Sequence, residues 1–295
     1  MIRSHPVGND SDDNHRRRRI RLLAVLGVVA GAALTAAVAF LFVGGLGTTS
    51  GSGSAARDRD VDQVIAQMVS VFENGTPEIQ YAYIKDLDDG RGYTAGRAGF
   101  CTACGDLLTV VKSYTVRDPT NLLAPYLPTL TRLAASSSDS VDGLGGFEDA
   151  WRAAAEDPVL RQVQDEVTDT LYVAPARELA EDNGVHSALG LAILVDTAVQ
   201  HGTSDDPDGL PSLVEKTNAD VGGAPADGID ETTWLRGFLN IRRATLENPS
   251  SSHTSEAWRE SVGRVDALEA LLDAGNLDLE TPFTINPWGD PQTVN

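Results

Sequence analysis

Three lysines in a chain of 295 residues are too few for a protein that grips phosphate or nucleic acid. Histidine is nearly as scarce. There are five, and His5 and His15 lie in the polar N-terminal leader, which leaves little from which to build an imidazole-based nucleophile or metal centre. No G-x-x-x-x-G-K-[ST], H-E-x-x-H or G-x-S-x-G motif occurs, and no internal repeat. The only cysteines, Cys101 and Cys104, form one C-x-x-C. Two small loop residues, or one local disulfide after export, describe it better than a redox site, because no thioredoxin-like context surrounds it. A zinc site would need two more ligands in a matching arrangement, and none is apparent. The chain is therefore expected to work with no metal and no cofactor.

What remains in quantity is carboxylate. The formal net charge is −20, and the leader partly hides it: residues 1–56 hold six Arg and three Asp, so the remainder carries 17 basic against 40 acidic residues, a net of −23. Such a field repels nucleic acid and anionic lipid and favours a cationic ligand, although solubility alone also accounts for it.

Residues 1–21 end in Arg16–Arg19 and Arg21, a basic leader, and residues 22–47 carry no charge. Residues 48–59 then read as a flexible linker. Basic, apolar, then small is the order of an export signal or of a membrane anchor whose basic run stays cytoplasmic. The apolar segment exceeds the roughly 20 residues that span a bilayer as a helix, and Ser54-Ala55-Ala56 offers a cleavage site beyond it. Either alternative puts residues 60–295 outside the cytoplasm, secreted or membrane-anchored, as one large domain or two lobes. Any membrane contact is then confined to the N-terminal segment.

Spacing of apolar residues predicts a helix from Asp60 through Val61, Val64, Ile65, Met68, Val69 and Phe72, stopped by Asn74-Gly75. Glu73 closes it, against the negative end of the helix dipole, where the protonated form is favoured. A bystander carboxylate at a frayed end is the other reading. Further helices are expected over 107–114, over 121–133 with interruptions at Pro125 and Pro128, and from Val159 to Leu171, ending before Pro175. The Ser- and Gly-rich run 136–146 suggests the crossing between lobes. Residues 185–201 are apolar nearly all round and closed by Gly202, as a buried central helix would be. Asp196 inside that helix needs a cation, and Arg242, Arg243, Arg259 and Arg264 in the C-terminal helices are the candidates. Residues 202–229 read as a surface excursion, and the tail after Gly275 as an extended segment held down by Phe283 and Trp288.

The densest local signal is Tyr81–Asp106. An aromatic, β-prone run containing Tyr83 meets an acidic turn of Asp86, Asp88 and Asp89. Glycines follow at 90, 92, 96 and 99, with Arg91 and Thr94 between them. Carboxylates on a glycine-rich turn suit a ligand site; they also suit a solvated acidic hairpin.

Glu73-Asn74, then IKDLDDGRGYTAGRAGFCTACGD (84–106), VDTAVQHG (195–202), DETTWLRGFLNIR (230–242) and GRVDALEALLDAGNLDL (263–279) together resemble the chitosanases of glycoside hydrolase family 46. The likeness runs in order from about Asp60 to the C-terminus. It implies a mainly α (α+β), bilobal, lysozyme-like fold with a central buried helix and a small antiparallel sheet at the cleft. It implies endo-hydrolysis of β-1,4-linked glucosamine with inversion, by a monomer whose partner is chitosan. By the same resemblance Glu73 corresponds to the general acid, Asp89 to the general base and Thr94 to the hydroxyl that holds the attacking water. Tyr83, Arg91 and Asp106 correspond to sugar-contacting cleft positions, and Asp196, Arg242 and Arg264 to an ion-pair network behind the acid, with Arg264 nearest Glu73. Thr76-Pro77 shortens the usual spacing between acid and base, Lys85 stands where an acid is common, and Cys104 where Thr is common. The rival readings are another lysozyme-like glycan hydrolase and a non-catalytic glycan-binding protein of the same fold.

Overall fold

The computed structural model describes residues 52–87, 90–250 and 255–295. The basic leader 1–21, the apolar segment 22–47 read as signal or anchor, and Asp89 lie outside them. No described helix is long and apolar enough to cross a membrane.

Helix α1 (Ser52–Asn74) ends as its sequence requires: Gly75 takes the left-handed conformation, φ 71°, and its N–H returns to the Val71 carbonyl. The helix starts ahead of Asp60 and takes in part of the stretch read as a linker. Apolar spacing marks only a helix's buried face, and Ala55, Ala56 and Arg57 are good helix formers in their own right. An antiparallel sheet follows, β1 (Ile84–Asp86), β2 (Tyr93–Ala95) and β3 (Phe100–Cys101), in the order β1-β2-β3 with Thr94 paired between Lys85 and Cys101. Helices α2 (Asp106–Arg117), α3 (Leu127–Ala135), α4 (Phe147–Ala154) and α5 (Pro158–Thr168) pack on it. Their shared core contains Ile84, Phe100, Leu107, Val111, Leu133, Phe147, Trp151 and Val163.

A second, larger core surrounds α7 (Ala188–His201), whose residues from Ala192 to His201 are all buried. The Ser187 hydroxyl caps this helix by accepting from the Gly190 N–H at 3.0 Å, and Glu231 holds Ser187 through both its N–H and its hydroxyl. Around it lie α1, α6 (Ala174–Asn183), α8 (Leu210–Val221), α9 (Glu231–Glu247) and α11 (Val262–Asp273), with the short α10 (Ser255–Glu260) before α11. A C-terminal hairpin, β4 (Phe283–Ile285) and β5 (Gln292–Val294), closes the lobe. The expected mainly helical fold with a buried central helix and a small antiparallel sheet is therefore what forms.

Four expectations are corrected. The helix does not stop before Pro175: a π-helical turn, Asp169–Val173, leads from α5 straight into α6, and Pro175 occupies the first turn of α6. The run 136–146 does not cross between lobes, because α3, α4 and the buried Leu144 all belong to the smaller core. The crossing is made by the α5–π–α6 run, where Tyr172 packs against both cores. Residues 202–229 are not all surface: α8 buries Leu210, Leu213, Val214 and Thr217 on one face. Glycines and prolines at its two ends disguised that spacing; Pro211 lies in its first turn and Gly222, φ 89°, ends it. In the tail Phe283 packs against the larger core as expected, but the half-buried Trp288 is not part of that core, and the buried anchors are Leu279, Ile285 and Val294.

Candidate active site

The last turn of α1, the edge of the three-stranded sheet, the π-turn and the buried faces of α7, α9 and α11 converge where the two cores meet. Glu73 comes from α1 and is only 6% exposed. Its Oε1 lies 2.7 Å from Nη1 of Arg264, a buried ion pair. Burial raises the pKa of this carboxyl, the positive Arg264 opposes the rise, and the negative Asp196 adds to it.

Arg264 also reaches Asp196 Oδ1 through Nη2 at 2.5 Å, and its guanidinium lies 5.3 Å from the Phe72 ring centre. Asp196 Oδ2 accepts from Arg242 Nη2 at 2.6 Å. The same Arg242 nitrogen donates to Gln200 Oε1 at 2.6 Å, Gln200 Nε2 donates to Ser261 Oγ, and Ser261 donates to the Trp258 carbonyl. Burial alone would raise the pKa of Asp196, and the two arginines outweigh it and lower it. The carboxylate so held is an anion between two cations, and the field that Arg264 exerts on Glu73 is correspondingly reduced. Of the four arginines offered to Asp196 by the sequence, Arg242 and Arg264 are the partners. Arg243 binds Asp266 and Glu269 instead, and Arg259 donates to the Glu247 carbonyl.

On the other side of the junction, Thr94 is fully buried in β2, and its Oγ1 has no hydrogen-bond partner among the described residues. Glycine is required beside it. A Cβ on Gly92, φ 69°, would come within 2.2 Å of Thr102 Oγ1, and one on Gly96, φ 71°, within 2.3 Å of Gln164 Oε1. Arg91 and Tyr83 are half-buried on the flanking segments; the Arg91 carbonyl accepts from the Thr102 hydroxyl and the Ala103 N–H. Asp106 opens α2, where Oδ1 accepts from the N–H groups of Cys101 and Leu107 at 2.7 and 2.8 Å. Its pKa is pushed up to about 6 by burial, against the pull of those N–H bonds and of Arg91. Cys101 and Cys104 are joined in a disulfide. Together with Asp106 they form a group with three candidate ligand atoms within 4.8 Å of one another, but bonded sulfurs are not thiolates and only one carboxylate is left to ligate a metal.

The structure thus brings Glu73, Asp196, Arg242 and Arg264 into one buried network and sets Thr94, Arg91 and Asp106 across the junction from it. Sequence reasoning missed Gln200, Ser261 and Tyr172. Gln200 had a signal, since it lies four residues after Asp196 and so on the same helix face. Ser261 and Tyr172 had none, one lying between two helices and the other in the π-turn.

A family model described as glycosyl hydrolase family 46 matches residues 67–283. A chitosanase of Bacillus subtilis is 46% identical over 239 residues, covering 80% of this chain and 86% of its own. A Streptomyces chitosanase is 37% identical over 285 residues, covering 95% and 98%. Among solved structures, a Gynuella sunshinyii chitosanase in complex with chitotetraose superposes with a TM-score of 0.75 at 48% identity, over 80% of this chain and 97% of that one. A mutant Bacillus subtilis chitosanase complexed with 6 GlcN gives a TM-score of 0.76 at 45% identity, over 81% and 99%.

Proposed function

Because this chain belongs to glycosyl hydrolase family 46, we propose that it is an endo-acting chitosanase that cleaves β-1,4 linkages between glucosamine units with inversion. The observation that carries the reading is the buried Glu73, whose pKa is raised although an arginine lies beside it. A carboxyl whose protonated form is favoured by burial can donate its proton to the glycosidic oxygen as the bond breaks. Asp89, on the glycine-rich turn, is the base: it takes a proton from a water that attacks the anomeric carbon from the opposite face. Inversion requires the two carboxyl groups to stand about 6.5–9.5 Å apart so that this water fits. The buried Thr94 hydroxyl, with no described partner, suits the task of holding it. Arg264, itself fixed by Asp196 and Arg242, orients the acid rather than charging it. Tyr83, Arg91 and Asp106 line the sugar path. The acidic catalytic domain works as a monomer outside the cytoplasm.

Charge gives the substrate preference. The excess of carboxylates attracts the ammonium groups of glucosamine and has no such attraction for neutral chitin or anionic cell-wall polymers. Release of reducing ends should therefore be fast on chitosan and slow on the other two. KM for chitosan should rise as sodium chloride goes from 20 mM to 500 mM, where the screening length falls to roughly 4 Å. Equal rates on all three polymers, or a KM indifferent to salt, would count against the electrostatic account.

A further inference from the structure

The disulfide between Cys101 and Cys104 joins cysteines only three positions apart. The stability that a crosslink adds by restricting the unfolded chain grows with the length of the loop it closes, so little is gained that way here. What the bond changes is local. It spans the connection from β3 to α2, the helix that Asp106 opens. The strand side of this connection is fixed independently: the Thr102 N–H donates to the Tyr93 carbonyl at 3.0 Å, and the Thr102 hydroxyl and the Ala103 N–H both donate to the Arg91 carbonyl. The helix side is tied to that strand end by two links. One is the disulfide, and the other is the 2.7 Å bond that the Cys101 N–H donates to Asp106 Oδ1. The Cys104 N–H points back at the Cys101 sulfur, 2.9 Å away, and so adds no further anchor to the strand. With the S–S bond open, the Asp106 carboxylate would carry by itself a connection that it now shares. Cys101 is fully buried and Cys104 is exposed, so a reductant reaches the bond through its outer sulfur.

We infer that the Cys101–Cys104 disulfide is a positioning element for substrate binding, which clamps the Cys101 N–H against Asp106 and thereby fixes that carboxylate beside the sugar path. The inference rests on the chitosanase reading, in which Asp106 lines that path. It adds that affinity for chitosan depends on the redox state of a bond remote from the Glu73–Arg264–Asp196 network.

The test measures KM and kcat on chitosan by chromatography of the released oligomers, well below the melting temperature. It compares the parent chain, the Cys101→Ala/Cys104→Ala chain, and the parent reduced with dithiothreitol until both of its cysteines titrate as thiols. In the reduction the S–S bond takes two electrons and two protons from dithiothreitol, which closes to a cyclic disulfide. Either way of opening the bond should raise KM about three- to ten-fold, the range of one lost hydrogen bond, with kcat unchanged. Reoxidation with glutathione disulfide should restore the parental KM. In an Asp106→Asn chain, opening the bond should raise KM no further, because disulfide and carboxylate act as one unit. An unchanged KM in the reduced parent and in the double variant overturns the inference, and so does an equal rise in the Asp106→Asn chain. A fall in kcat and melting temperature at constant KM also overturns it and makes the bond a support of folding alone. A parent chain that releases no oligomers from chitosan refutes the activity itself, and the inference with it.

Discussion

Replacing Glu73 with Gln should lower turnover of chitosan by roughly 10²–10⁴-fold, the usual contribution of a positioned general acid. Binding of chitosan oligomers should change little. Glutamine has the shape of the acid and retains an oxygen for Arg264, but it has no proton to give the departing sugar. In the parent chain the active form of Glu73 is the protonated one, and its pKa is raised, first by burial and against the pull of Arg264. Turnover should therefore fall as pH rises through that raised value. The residual activity of Glu73→Gln should lack this alkaline limb, since no proton at residue 73 remains to be lost. Profiles of kcat against pH for both chains check this. A variant that keeps a tenth of parental kcat, or one with the same alkaline limb, would remove Glu73 from the role of acid.

The second large effect concerns the network behind the acid. Arg264→Ala leaves the buried Asp196 with Arg242 alone and leaves Glu73 without its cation. Breaking a buried ion pair from one side costs about 3–5 kcal/mol. For a domain of this size that is a fall in melting temperature of about 6–20 °C. Turnover should drop as well, because nothing then fixes the carboxyl against the cleft. Arg264→Lys should rescue little. A single ammonium cannot repeat the fork in which Nη1 meets Glu73 while Nη2 meets Asp196 at 2.5 Å. The sign with pH follows from Asp196, whose pKa is lowered in the fold once the arginines overcome its burial. Its contribution is fully present above its unfolded value of about 3.9 and is lost as pH falls through the lower folded one. Melting curves across pH, together with kcat, are the measurement. Unchanged stability with full activity in Arg264→Ala would detach the network from both folding and catalysis.

Much of this was legible in the sequence, and the reasons differ by residue. Glu73 could be placed because a strongly periodic helix runs straight into Asn74-Gly75, a stop with a physical cause. Asp196 could be identified as paired because an ionised carboxylate in an otherwise apolar helix has few alternatives. Which arginines meet it came from the resemblance, which named Arg242 and Arg264; spacing alone could not choose, since Arg242 and Arg243 are neighbours and only the rotation of α9 decides between them. The assignment of acid, base and water holder came from motif resemblance; carboxylates are too numerous here for spacing alone to select a pair. Tyr172 was hidden for the opposite reason. A π-turn breaks the periodicity on which helix reading depends, and the run then continues through Pro175, a residue that ordinarily signals an end. Helix α8 was lost because its apolar face is brief and its flanks carry the turn residues of a loop.

The claim on which everything else depends is that two carboxyl groups act on opposite faces of the sugar in a single displacement. Proton NMR of chitohexaose during the first minutes of hydrolysis, before the products mutarotate, tests it. A β-linked substrate cleaved with inversion gives the α-anomer first, with the β-anomer growing in only as equilibrium is reached, and that is the expected spectrum. Initial release of the β-anomer would mean a retained configuration and would contradict the assignment of Glu73 and Asp89 as acid and base.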